Sequence, residues 1–128
     1  MGTRSLTFVY DRNEPVICLY RQYDGYPSGH GAELAEFLSG FEIVNGFGQK
    51  RDKLANGMGC LSAQIVAHFK DGVGQFYLHA PRVGRDDGQD YEYHIHADRI
   101  VVLNYNNKEI FNGNWADFEK FCSPAEVA

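Results

Sequence analysis

"QFYLHAP" (75–81) and "DYEYHIHAD" (90–98), linked by "RVGRDDGQ" (82–89), decide how this chain is to be read. Aromatic residues crowd both flanks, and the charged, glycine-containing link has turn chemistry, so an antiparallel strand pair is predicted. Setting Phe76 against Ile95, Leu78 against Tyr93 and Ala80 against Tyr91 gives one apolar face. The other face carries Tyr77, His79, Glu92, His94 and His96. Such alternation gives one face to the core and leaves the other wet or functional.

Outward from this pair the chain divides cleanly. "RSLTFVY" (4–10) and "PVICLYR" (15–21) flank the polar "DRNE" and read as a hairpin. Ala32, Leu34, Phe37, Leu38 and Phe41 recur at helical spacing, with Gly40 as the stop. The polar link "NGFGQKRDKLANG" (45–57) leads to a second helix through Met58, Leu61, Ile65, Val66 and Phe69, ended by Gly72. "RIVVLNY" (99–105) and "KEIFNG" (108–113) are joined by "NN", which tolerates the positive φ of a tight hairpin. A short helix follows, capped by Asn114, with Trp115, Phe118 and Phe121 on one face. The order ββ-α-α-ββ-ββ-α lacks βαβ alternation. The expected fold is therefore α+β: an antiparallel sheet of about six strands, two main helices on one face and a short C-terminal helix.

At 128 residues the chain is expected to be a single domain, 1–128, with 124–128 as a frayed tail. A net charge of −5 argues against a general nucleic-acid binder, which needs a basic footprint. No stretch approaches the ~18 apolar residues of a membrane span, and the N-terminus lacks a signal-peptide pattern. Cys18, Cys60 and Cys122 are odd in number and without metal-ligand spacing, which points to reduced thiols and a cytoplasmic setting.

The densest chemistry lies in "YRQYDGYPSGHG" (20–31), just before the first helix. A helix start offers unpaired amides, and Gly25, Gly29 and Gly31 let backbone approach a ligand. Ser28 or His30 can cap the helix, and Tyr23 or Tyr26 can stack on a planar base. With Leu6 paired to Leu19 and Phe8 to Ile17, Arg4 falls opposite Arg21, and two such guanidinium groups call for a nearby negative charge. Asp24 satisfies that need, and so does an anionic ligand. An ordinary strand-to-helix turn uses the same residue types. Asn56, Gly57 and Gly59 open the second helix in a similar way, without the phosphate-loop pattern.

His79, His94 and His96 share the polar face, where three imidazoles on adjacent strands can hold a divalent metal, although solvated histidines are the default and no metal is expected. His68, late in the second helix, suits the helix dipole. His30 is the best acid–base candidate, with Asp24 and Glu33 near in sequence. A Cys60 nucleophile would need His30 or His79 beside it.

The opening "MGTRSLT", the 20–31 loop with "ELAEFL", and "NGMGCLSAQIVAHF" together resemble a group of small uncharacterised proteins of bacterial and bacteriophage genomes. The likeness covers roughly the first 80 residues and brings no activity with it. Small phage proteins of this kind sometimes inhibit host defence or sequester its signalling nucleotides, which is what the resemblance implies. The expectation is a non-enzymatic binding domain, without cofactor, for a small anionic, nucleotide-like ligand. Arg4, Arg21, Gly25, Ser28, Gly29, His30 and Gly31 would hold the ligand. The alternatives are a module that docks on a host protein, and a hydrolase or nucleotide-modifying enzyme using His30 and Asp24. A homodimer through an uncovered aromatic face is a further expectation.

Overall fold

The computed structural model describes residues 2–46 and 53–123. It contains eight strands, β1 (Ser5–Asp11), β2 (Glu14–Arg21), β3 (Glu42–Val44), β4 (Leu54–Asn56), β5 (Phe76–His79), β6 (Tyr91–Ile95), β7 (Ile100–Leu103) and β8 (Glu109–Gly113). The helices are α1 (Ala32–Leu38), α2 (Gly57–Phe69) and α3 (Trp115–Cys122), with one π-helical turn at Pro27–Gly31. The fold is α+β, and its main sheet runs β5-β2-β1-β6-β7-β8. The parts of the 45–57 link that fall at 47–52, and the expected tail 124–128, lie outside the described residues.

The predicted 75–98 hairpin does not form. β5 pairs antiparallel with β2, β6 pairs parallel with β1, and the whole first hairpin stands between them. A parallel return needs a crossover of about a dozen residues, and residues 80–90 supply it as a strap across the sheet. Side-chain parity survives the change of partner. Tyr77, His79, Glu92 and His94 still share a face, because that depends only on the period of two.

The first hairpin differs by one residue. Arg12 and Asn13 turn it with φ of 54° and 69°, and beside this turn Tyr10 faces Pro15. A bulge then leaves Val16 unpaired, and beyond it Val9 faces Ile17, Thr7 faces Leu19 and Ser5 faces Arg21. One inserted residue sends every later side chain of β2 to the other face. Arg4 is therefore not across from Arg21. β1 becomes a central strand buried on both sides, with Ser5 to Tyr10 all inaccessible, as a strand with a parallel neighbour and two covered faces should be.

One face packs Val9, Leu19, Tyr93, Ile95, Ile100 and Val102 against Leu34 and Leu38 of α1, Leu61, Ile65 and Phe69 of α2, and Phe118 of α3. The far face holds a smaller cluster of Leu6, Phe8, Tyr10 and Cys18 with Tyr20 against it. The polar 45–57 link also contains a strand its polarity concealed: β4 lies within it and pairs in parallel with β3, which ends just before it. Lys53, just before β4, donates to the carbonyls of Glu36, Phe37 and Ser39 and so closes the end of α1. The Asn107 turn between β7 and β8 and the Asn114 cap on Asp117 N both follow the sequence expectation. All three cysteines are free thiols.

Candidate functional site

The glycine loop turns inward. Arg21 is 3% exposed and donates to Tyr23 O at 2.7 Å, to His30 Nδ1 at 3.2 Å and to Glu33 Oε2 at 3.2 Å. Its guanidinium lies 5.0 Å from the Phe76 ring centroid. His30 has no exposed surface, and its Nε2 lies 2.8 Å from Thr7 Oγ1. A guanidinium can only donate, so Nδ1 accepts, and Nε2 carries the proton that Thr7 receives. Burial, assisted by the Arg21 charge, pushes the His30 pKa down to about 3. This ring is neutral at pH 7 and sealed from solvent, so it fastens the loop to β1 rather than exchanging protons.

The loop glycines serve packing. A Cβ on Gly25 would come within 2.7 Å of Ser5 Cβ, and one on Gly31 within 2.7 Å of Cys122 Sγ. Tyr93 Oη donates to Gly25 O at 2.7 Å, and Gly25 N donates to Thr3 O at 2.9 Å. Neither Ser28 nor His30 caps α1, which grows directly out of the π-helical turn. Tyr23, Asp24, Tyr26 and Ser28 remain at the surface.

Arg4 stands apart from this cluster. It is exposed, its backbone N donates to Asp90 Oδ2 at 3.0 Å, and its guanidinium lies over Gly88. The shared cleft of Arg4, Arg21 and His30 is thus corrected: the register places Arg21 beneath the helices and Arg4 at the end of the strap. Asn56 accepts from Gly46 N at 2.9 Å, which ties α2's start to β3. That start is ~18 Å along α2 from Phe69 at 1.5 Å per residue, and Phe69 is the residue that meets His30. Asn56, Gly57 and Gly59 therefore do not join the 20–31 loop. Cys60, near the same end, is separated from His30 for the same reason, and from His79 by the sheet itself.

The three histidines do not converge either. β5 and β6 are separated by β2 and β1, about 14 Å at the usual strand spacing. His79 bonds Asp87 at 2.9 Å, His94 has both nitrogens engaged, and His96 stacks on Tyr10 with centroids 4.4 Å apart. Among the described residues no cluster of His, Cys, Asp and Glu is arranged to hold a metal ion.

What the far face does assemble is a charged chain beneath a cavity. Gln89 Nε2 donates to Glu92 Oε2 at 2.9 Å. Glu92 Oε1 lies 2.9 Å from His94 Nε2, and His94 Nδ1 lies 2.6 Å from Tyr10 Oη. Glu92 and His94 are 6% and 7% exposed, and the imidazole stacks almost parallel on Phe8 at 5.0 Å. Burial by itself would raise the Glu92 pKa, but the bonds from His94 and Gln89 outweigh it and hold the carboxyl below its ordinary value. Glu92 is therefore an acceptor at neutral pH, so His94 Nε2 carries the proton of that bond and Nδ1 is the atom left to pair with the Tyr10 hydroxyl. Burial, then the Glu92 charge, pushes the Tyr10 pKa up to about 12.

Over this chain opens a cavity of about 320 Å³ between the strap, β6 and the β7–β8 turn, lined by Arg85, Asp86, Gln89, Glu92, His94 and Asn104 among others. The strap is latched nearby. Asp87 accepts from Arg85 Nε at 2.6 Å and NH2 at 3.3 Å, besides His79. Burial opposes ionisation there too, yet these partners hold the Asp87 pKa below the ordinary carboxylate value. Tyr10, Arg85, Asp87 and Gln89 were not candidates from sequence. Parity placed Glu92 and His94 on one face, but the strap's inward turn carries no local signal. No family model, curated protein or solved structure matches the chain significantly.

Proposed function

We propose that this chain is a small-molecule binding domain whose site is the far-face cavity. The observation that carries the reading is the buried Glu92–His94–Tyr10 chain with a cavity open directly above it. Buried charge is costly and is kept where it is fully bonded or put to use. Glu92 and His94 are buried beside the apolar cluster of Leu6, Phe8, Tyr10 and Cys18. A concave site with a few convergent polar groups is the usual form of a ligand pocket. The anionic, nucleotide-like ligand expected from Arg4 and Arg21 loses the pairing on which it rested, and it becomes one arm of the test.

The test is a titration of ¹⁵N-labelled protein with separate nucleotides, phosphate, amino acids, sugars and amines, with thermal shift in parallel. Binding as proposed moves the amide signals of residues 83–86, 92–94 and 103–107. Shifts confined to residues 20–31 would return the site to the glycine loop. Turnover of an added compound would favour the hydrolase reading, and a silent panel would leave the docking module as the better account.

A further inference from the structure

We propose that the cavity takes a small organic cation with N–H donors, an amine or a guanidinium compound, held on Glu92 where the Gln89 amide now sits. This rests on the reading of the cavity as the binding site and adds the chemistry of its ligand.

Three observations carry it. First, the guanidinium in the lining is already spent. Arg85 gives Nε and NH2 to Asp87 and NH1 to Ala80 O, while Asp86 and Glu92 also face the cavity. An incoming phosphate or carboxylate would meet two carboxylates and a neutralised arginine, and like charges at close range repel. A cation meets the reverse.

Second, the two oxygens of Glu92 have different standing. Oε1 is bonded to His94, whose ring is fixed by Tyr10 and by stacking on Phe8. Oε2 is bonded to Gln89 Nε2, an N–H donor borne on the strap. The chain thus displays, within itself, the donor that this carboxylate accepts and the direction of approach. An ammonium or guanidinium N–H in the same position adds a second, opposite charge to the bond and so binds the carboxylate more strongly than a neutral amide does.

Third, the donor in place is held by the strap itself: Gln89 Nε2 also donates to Arg85 O at 2.9 Å and its Oε1 accepts from Asp87 N at 2.7 Å, so a ligand that takes its place on Glu92 breaks bonds within the strap and none to the sheet's core. Residues 80–90 have no strand or helix of their own, and two glycines there, Gly84 and Gly88, hold φ of 89° and 76°. At the mouth stands Tyr105, 71% exposed, an aromatic ring of the kind that attracts cations through its face.

The experiment follows cavity amide signals in ¹⁵N-labelled protein during titration with methylguanidine and 1,4-diaminobutane, against acetate, phosphate and AMP. The expected result is saturable shifts with the two cations. Glu92→Gln, isosteric but uncharged and with one acceptor oxygen in place of two, should lose about tenfold in affinity, roughly one charge-assisted hydrogen bond. Gln89→Ala should bind about fivefold more tightly than the parent, because the competing amide is gone. Anions or sugars that shift the cavity signals while both cations leave them still would overturn the ligand class and leave the site standing. If no probe of either charge moves those signals, both readings fall. Unchanged affinity in Gln89→Ala would overturn the exchange at Oε2.

Discussion

Acid should unfold this protein chiefly through one histidine. His30 is fully buried with a pKa of about 3, against about 6.5 in an unfolded chain. Between those values the unfolded state binds the extra proton, so stability is complete above about pH 6.5 and falls as pH drops below it. The slope approaches 1.36 kcal/mol per pH unit for one proton, so moving from about pH 7.5 to about pH 4.5 should cost about 2.5 kcal/mol. The physical obstacle is plain in the geometry: a second ring proton would sit on Nδ1, directly against the Arg21 guanidinium 3.2 Å away. The assay is urea denaturation at several pH values. With a slope of ~1–3 kcal/mol per molar, the midpoint should fall by about 0.8–2.5 M over that range. His30→Gln keeps an acceptor for Arg21 and a donor for Thr7 but cannot titrate, so its midpoint should fall much less down to about pH 4.5, what remains coming from His96, whose pKa burial also lowers. A parent protein with a flat profile, or a variant with the parent's slope, would refute the assignment.

Other perturbations test the same frame. Gly31→Ala should destabilise by about 1–3 kcal/mol through overpacking against Cys122 and be partly rescued by Cys122→Ala in a double-mutant cycle by urea melts. Ser5 Oγ is buried without a hydrogen-bond partner among the described residues, so Ser5→Ala should raise stability by about 1 kcal/mol in the same assay. Arg21→Ala should cost about 2–4 kcal/mol by stranding His30 Nδ1, yet leave any ligand titration of the far-face cavity unchanged. Asp87→Asn should loosen the strap, read as faster amide exchange over residues 82–89. In the parent that loosening should come only as pH falls through the lowered Asp87 value, because a carboxyl held down in the fold stabilises above its ordinary range.

What could be read from the sequence was whatever depends on local period. The helices, the β7–β8 hairpin and the division of Tyr77, His79, Glu92 and His94 from their neighbours all follow from spacing alone. What could not be read was partnership. Nothing in "RVGRDDGQ" distinguishes a turn that reverses the chain from a strap that carries it over two strands. The bulge at Val16 is one residue long, yet it moved Arg21 away from Arg4 and dissolved the expected cleft. The glycine loop misled for a related reason: Arg, His, Asp and Gly look alike in sequence whether they meet a ligand or plug a corner. That His30 plugs a corner is decided by Thr7, a residue of ordinary type on a strand whose register could not be known.

The parallel pairing of β1 with β6 has a cost during synthesis. β1 leaves the ribosome well before β6, yet it lies in the middle of the finished sheet, and the neighbour that covers its second edge spans residues 91–95. A nascent chain stopped short of Tyr91 can close the β1–β2 hairpin and α2, but it carries a long apolar strand with one side bare. Such an edge recruits other chains, and contacts this distant in sequence form slowly. Products that end before Tyr91 should therefore aggregate more readily than the 128-residue chain, because β6 is what covers the second edge of β1.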